Sequence, residues 1–198
     1  MERIISGHGD GLTMLQRLRR SLEESPVVRM GDYDYFVNPI TDGIPAMDPG
    51  VLQEVVDRIL EVGDFDCDLI TAPEAMGIPL AVPLSLRTGI SYNVVRKRRY
   101  GLPGEVSLKQ TTGYSRTDMF INGIGKGDRV VIVDDVISTG GTISALVRAF
   151  QTMGVQIVDI IVVVEKGDRK AWLERELGVK IKTLVKVEMH EGRVRIVT

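Results

Sequence analysis

Two adjacent carboxylates, Asp134 and Asp135, stand between a run of β-branched residues and a turn of hydroxyls and glycines in the stretch VVIVDDVISTGGT, residues 130–142. Carboxylates accept hydrogen bonds and donate none, so they suit a sugar diol or a hydrated cation and are unsuited to direct phosphate contact. A phosphate is better served by Ser138, Thr139, Gly140, Gly141 and Thr142. Such a turn offers successive backbone N–H groups, close approach at the glycines, hydroxyl donors and the positive end of a following helix. No Gly-Lys-Ser/Thr follows and the G-x-G-x-x-G spacing is absent, which excludes the triphosphate P-loop and the dinucleotide fingerprint. The pattern fits one phosphate monoester. Thr-Gly-Gly alone would mean only a glycine-rich turn with polar caps; the apolar strand and paired acids ahead of it displace that reading.

The elements that must hold these residues follow from periodicity. Val130 to Val133 read as a strand buried on both faces, and Ile143, Leu146, Val147 and Phe150 recur at helical spacing, so the unit is strand, loop, helix. Comparable units surround it. Thr13 to Ser25 is an amphipathic helix stopped before Pro26. Asp48 offers an N-cap with Pro49 at the first helical position of a helix running to Gly63. Strand-like segments at 68–72, 91–95, 129–133 and 155–164 alternate with helix-like ones at about 78–87 and after Gly141. This alternation predicts an α/β fold, a parallel sheet flanked by helices, with the ligand crevice at the C-terminal strand ends where Asp134 and Asp135 sit.

Three regions fall outside the alternation. YDYFVN, residues 33–38, reads as a short strand or hood-like loop closed by Pro39. Residues 100–127 hold six glycines and a proline and read as a long irregular connection. KTLVKVEMHEGRVRIVT reads as a hairpin around Glu191-Gly192, at a sheet edge or in a lid. Arg96 to Arg99 form a basic run after the 91–95 strand, at the same end of the sheet as the acids, where it would neutralise a polyanionic ligand.

Composition narrows the class. At 198 residues with 43% hydrophobic and 26% charged, the chain suits one globular domain. A net charge of −2 argues against a general nucleic-acid binder. Cys67 is the single cysteine, which precludes an intrachain disulfide and fits a reducing cytosol. Two distant histidines leave no His/Cys metal spacing and no Ser-His-Asp triad, so any metal would be a hard cation held by oxygen. No signal-peptide run or stretch of 18 apolar residues is present, so a cytoplasmic protein without membrane contact is expected.

VVIVDDVISTGGT resembles the phosphoribosyl-pyrophosphate (PRPP) motif of the type I phosphoribosyltransferases. APEAMGIPLA, VVRKRRYGLPGE and VVVEKGDR are similar, in order, to elements of the purine salvage branch: adenine and xanthine phosphoribosyltransferases and the archaeal hypoxanthine/guanine enzymes. The resemblance implies the type I phosphoribosyltransferase fold in a single domain over 1–198, with hood elements at about 26–45 and 180–198 and a C-terminal β-hairpin. It implies that Asp134 and Asp135 contact the ribose hydroxyls and that Ser138 to Thr142 cradle the 5′-phosphate. Glu74, Ala75, Met76 and Gly77 match the pyrophosphate loop, with Arg96 and Lys97 as its basic pair. Adenine enzymes carry an arginine before that glycine; Met76 stands here, so anion binding would rest on backbone N–H groups.

Lys109 and Tyr114 fall where the family has a mobile loop that closes over the reacting centre. Lys166 corresponds to a lysine that donates to the purine O6, favouring a carbonyl oxygen over the amino group of adenine, and Asn38 to a hood asparagine that contacts the base. An ordinary ion pair between Glu165 and Lys166 is the alternative for that lysine. The implied reaction converts a 6-oxopurine and PRPP to the nucleoside monophosphate and pyrophosphate. Mg2+ would be held through PRPP and possibly Asp134 and Asp135, and the enzyme would be a homodimer. The alternatives are a xanthine or adenine enzyme, or a PRPP-sensing transcription regulator on the same fold. With about 65 residues before the first sheet strand, no complete helix-turn-helix is evident.

Overall fold

The structure, a computed structural model, describes residues 15–31, 33–111 and 116–197. In chain order the elements are α1 (Gln16–Glu23), β1 (Val27–Met30), β2 (Tyr33–Phe36), α2 (Pro39–Asp42), α3 (Pro49–Val62), β3 (Leu69–Pro73), α4 (Ile78–Thr88), β4 (Ser91–Val95), β5 (Val106–Thr111), β6 (Arg116–Ile121), β7 (Arg129–Ile137), α5 (Gly141–Met153), β8 (Gln156–Lys166), α6 (Lys170–Leu177), β9 (Lys182–His190) and β10 (Arg193–Ile196). A six-stranded sheet has the order β10-β9-β8-β7-β3-β4. All its pairings are parallel except β9 with β10, the C-terminal hairpin, which therefore extends the sheet edge.

β7 occupies the middle because both of its faces are apolar. Alternate side chains leave a strand on opposite sides. Val131 and Val133 pack with Leu18 and Leu22 of α1, Val55 and Ile59 of α3, and Leu80 and Leu84 of α4. Val130 and Ile132 pack on the other face with Ile143, Leu146 and Phe150 of α5 and Leu173 of α6. The α3 start is built as its sequence requires: the Asp48 side chain accepts from Gly50 N at 2.7 Å and Val51 N at 3.0 Å, with Pro49 following.

One expectation needs correction, and two further features lie beyond what was expected. Residues 100–127 are not wholly irregular, since β5 and β6 form an antiparallel hairpin whose Leu108, Met119 and Ile121 enter the core beside α5. α6 was not foreseen; it is short and polar, with only Leu173 and Leu177 buried. The segment after Pro26 makes a separate two-stranded sheet, β1 with β2, unattached to the main one. Among the described residues no helix is long and apolar enough to cross a membrane.

Candidate active site

The acids lie inside β7 rather than beyond its end, because β8 continues to pair with it as far as Ile137↔Glu165. On the other side the β3 ladder stops at Thr71↔Ile132. Past that point one flank of β7 is open, and the 74–77 loop turns beside it. A cavity of about 370 Å3 occupies this place, in the range of small-molecule sites. Asp134 and Asp135 line it together with all five residues from Ser138 to Thr142 and with Glu74, Ala75, Met76 and Lys97.

Asp134 is buried, and its Oδ1 accepts from the Asp135 N–H at 3.0 Å. Burial pushes the Asp134 carboxyl up to about 6, against the downward pull of hydrogen bonds from Asp135 and of the Lys97 charge. Asp135 is raised well above the usual carboxylate range by burial and then by the negative charge of Asp134. Two carboxylates so placed favour a shared proton or a cation between them. Among the described residues no group of three or more His, Cys, Asp or Glu side chains could hold a metal. A hard divalent ion would therefore take at most a pair of oxygens here and complete its shell from a ligand and water, which is how magnesium is commonly held.

The turn after β7 presents a helix N-terminus with no side-chain cap. Gly140 stands at the cap position with φ 78°, and a Cβ there would meet Leu173 Cδ1 at 2.0 Å. Glycine thus brings the backbone close to α6 and leaves the first-turn N–H groups of α5 for an anion.

The second loop is tied to the basic run. Glu74 N donates to Val95 O at 2.9 Å, and Glu74 Oε2 accepts from Lys97 N at 3.0 Å and lies 3.1 Å from Arg96 Nε. Arg96 is thus paired with Glu74 and does not line the cavity, whereas Lys97 does. Gly77 is also outside the lining, and its role is close packing: a Cβ would lie 3.0 Å from both Pro73 O and Val133 O.

Residues from the N-terminal segment close the cavity from above: Tyr33 and Tyr35 of β2, and Thr41 and Asp42 of α2. Sequence reasoning did not single these out. The Asp42 carboxylate accepts from the Tyr35 hydroxyl, from Thr41 Oγ1 at 2.6 Å and from Asn38 N at 3.0 Å. The Tyr33 hydroxyl lies 2.9 Å from Ser138 Oγ. An aromatic segment ahead of a proline was the available signal, but nothing local tied it to Ser138.

Asn38 is a correction. It is fully buried and absent from the cavity lining. Its Oδ1 caps α2 by accepting from Ile40 N at 2.9 Å, and its Nδ2 donates to Ser21 O, Ser21 Oγ and Ser25 Oγ at 2.8–3.0 Å. An amide so committed joins α1 to α2, away from the cavity lining.

Lys166 ends β8 with its ammonium 3.6 Å from the centroid of the Tyr33 ring, 5.9 Å from that of Phe36, and donating to Asp34 O. It does not line the cavity directly; Tyr33 lies between. Its pairing with Glu165 is not found. Lys109 is exposed on β5, away from the cavity lining, and Tyr114 lies outside the described residues.

Residues 53–186 match the family model described as a phosphoribosyl transferase domain. The chain is 52% identical over 183 residues to the hypoxanthine/guanine phosphoribosyltransferase of Methanohalophilus mahii, covering 92% of this chain and 96% of the relative. It is 54% identical to the enzyme of that name from Methanosarcina mazei, with the same coverage. Among solved structures it is similar to adenine phosphoribosyltransferase from Thermoanaerobacter pseudethanolicus, with 27% identity, a TM-score of 0.69, and coverage of 87% of this chain and 99% of that one.

Proposed function

This chain belongs to the phosphoribosyl transferase family, and we propose that it salvages purines, transferring the 5-phosphoribosyl group of PRPP to hypoxanthine or guanine with release of pyrophosphate. One observation carries the reading: paired acids, phosphate turn and anion loop line a single cavity, the three features a phosphorylated sugar diphosphate requires.

In this reading Ser138 to Thr142 take the 5′-phosphate through backbone N–H groups and hydroxyls, and Asp134 and Asp135 accept from the ribose hydroxyls. Residues 74–76 and Lys97 receive the pyrophosphate, with Gly77 letting the loop pack on β7 and Arg96 holding Glu74 in place. Asp134 and Asp135 would hold magnesium, which would supply positive charge to offset that of the diphosphate leaving group. The bond from the anomeric carbon to pyrophosphate oxygen breaks as the bond to the purine nitrogen forms, and the N–H proton of the base passes to water or to the leaving pyrophosphate. The sugar carbon becomes cation-like on the way, so catalysis rests on positioning and electrostatics rather than a protein nucleophile. Lys166 donates to O6, and the segment carrying Lys109 and Tyr114 closes over the site to exclude water.

The same reading takes residues 26–45 and 180–198 as the hood of a single domain and the protein as a cytoplasmic homodimer. Pyrophosphate release with PRPP, magnesium and each of hypoxanthine, guanine, xanthine and adenine tests it. Turnover with hypoxanthine and guanine is expected. Release with adenine alone, or with no base, overturns it.

A further inference from the structure

Tyr33 touches the phosphate turn in the cavity and Lys166 behind its wall at once. Its ring lies against the Lys166 ammonium at 3.6 Å, and its hydroxyl is 2.9 Å from Ser138 Oγ, 105 residues along the chain. An ammonium over an aromatic face is held by the ring quadrupole, and while the ring lies there that side of the nitrogen is closed to another partner. One of its N–H groups is already given to Asp34 O on the same hairpin. The residue expected to read the base is therefore covered by a residue latched to the phosphate turn.

We propose that Tyr33 couples the two ends of the site, covering Lys166 until a phosphate occupies the turn at Ser138 and uncovering it afterwards. This rests on the assignment of the turn to phosphate and of Lys166 to the base. Either hydroxyl can be the donor in the Tyr33–Ser138 contact; a phosphate monoester carries acceptors only, so it takes the Ser138 hydroxyl proton and competes with the arrangement in which Ser138 donates to Tyr33. The element that must move is suited to moving. β1 and β2 form a two-stranded sheet apart from the main one, mostly exposed along β1. Such a hairpin is marginal in isolation, so its exposed turn end can shift while Phe36 and Val27 at its base stay packed on the core. Gly31 beside its turn has φ 62° and open space around it.

Tyr33 is thus a positioning residue, acting on the base through Lys166. The alternative is that its ring is itself a platform on which the base stacks. That reading makes removal of the ring weaken base binding whether or not the phosphate turn is filled.

The experiment is calorimetric binding of hypoxanthine with and without saturating ribose 5-phosphate and magnesium, a pair that fills the turn without turnover. Wild-type protein should bind hypoxanthine about tenfold more tightly when ribose 5-phosphate is present, the scale of one cation–π contact and one hydrogen bond lost together. In Tyr33→Ala that ratio should fall to about one, with hypoxanthine alone bound as tightly as wild type binds it beside the sugar phosphate. Tyr33→Phe keeps the ring and removes the latch, so its ratio should lie between the two. If Tyr33→Ala does not fold, Tyr33→Phe decides alone, since it deletes only an oxygen. A wild-type ratio of one or below, an unchanged ratio in the variants, or an equal loss of hypoxanthine affinity with and without ribose 5-phosphate would falsify the coupling. Failure of the underlying functional reading shows separately, as wild-type protein that releases no pyrophosphate from PRPP with any oxopurine.

Discussion

Glu165 and Lys166 are neighbours in sequence and face away from each other at the end of β8. Glu165 lies 3.1 Å from Lys170 Nζ and accepts from Thr183 Oγ1 at 3.0 Å, while Lys166 turns to Tyr33 on the cavity side. Alternation along a strand produces this separation, and it leaves Lys166 without a carboxylate partner from its own neighbour. Its positive charge is not cancelled by Glu165, so a substrate oxygen can draw on it once Tyr33 moves aside.

On the proposed reading, replacing Lys166 by Ala would remove a charged donor to the purine O6, an interaction of roughly 1.5–3 kcal/mol. The expected result is about a tenfold to hundredfold fall in kcat/KM for hypoxanthine and guanine, with any adenine turnover unchanged. A three-base comparison of wild type and variant measures it. An equal loss for all bases would reassign Lys166 to scaffolding.

The catalytic half of the site was legible because it is local. A strand buried on both faces, two acids and a glycine-hydroxyl turn are contiguous, and the sheet pairing follows from the same apolar run. The upper wall was not legible, because Tyr33 owes its position to contacts with Ser138 and Lys166, more than a hundred residues away. Asn38 shows the hazard in the other direction. A polar residue before proline reads equally as ligand contact or cap, and only the three-dimensional neighbours Ser21 and Ser25 decide.

Asn38→Ala should accordingly act on stability and not on base choice. It removes an α2 cap and leaves Ile40 N without its acceptor in a buried setting. A loss of about 1–3 kcal/mol in denaturant unfolding is expected. Base selectivity, as the ratio of kcat/KM values, should stay within twofold. A change in that ratio without loss of stability would restore Asn38 to the base site.

Gly140→Ala tests the phosphate turn and its support together. The left-handed backbone disfavours a side chain by roughly 1–2 kcal/mol, and the added carbon meets Leu173 on α6. Melting temperature and PRPP affinity should therefore fall together, so circular dichroism alone will not show an intact fold with a damaged site. In a double-mutant cycle the penalty of Gly140→Ala should be smaller in the Leu173→Ala background. Equal penalties in both backgrounds would mean that the contact with α6 contributes nothing.

Asp134 sets a conflict between stability and function that pH exposes. Its carboxyl is raised by burial to about 6, whereas in the unfolded chain it titrates near 4. The native state therefore holds more protons than the unfolded state between those values, and stability falls as pH rises through that window. The raised pKa of Asp135 acts in the same direction and extends the decline upward. Asp134→Asn removes the burial of a charge, so the variant should be more stable than wild type at pH 7 by on the order of 2–3 kcal/mol. For a chain of this length that is roughly 5–10 °C in melting temperature. Near pH 4 the two proteins should melt together. Carboxylates with lowered pKa values, such as Asp57 and Asp66, add an opposite slope, but they are common to both proteins and cancel in the difference. Turnover should be lost in the variant at every pH, since an amide cannot take the place of a carboxylate on the ribose diol and its cation. A stability difference that does not change between pH 4 and pH 7 would show that burial of this charge is not what the protein sustains at its site.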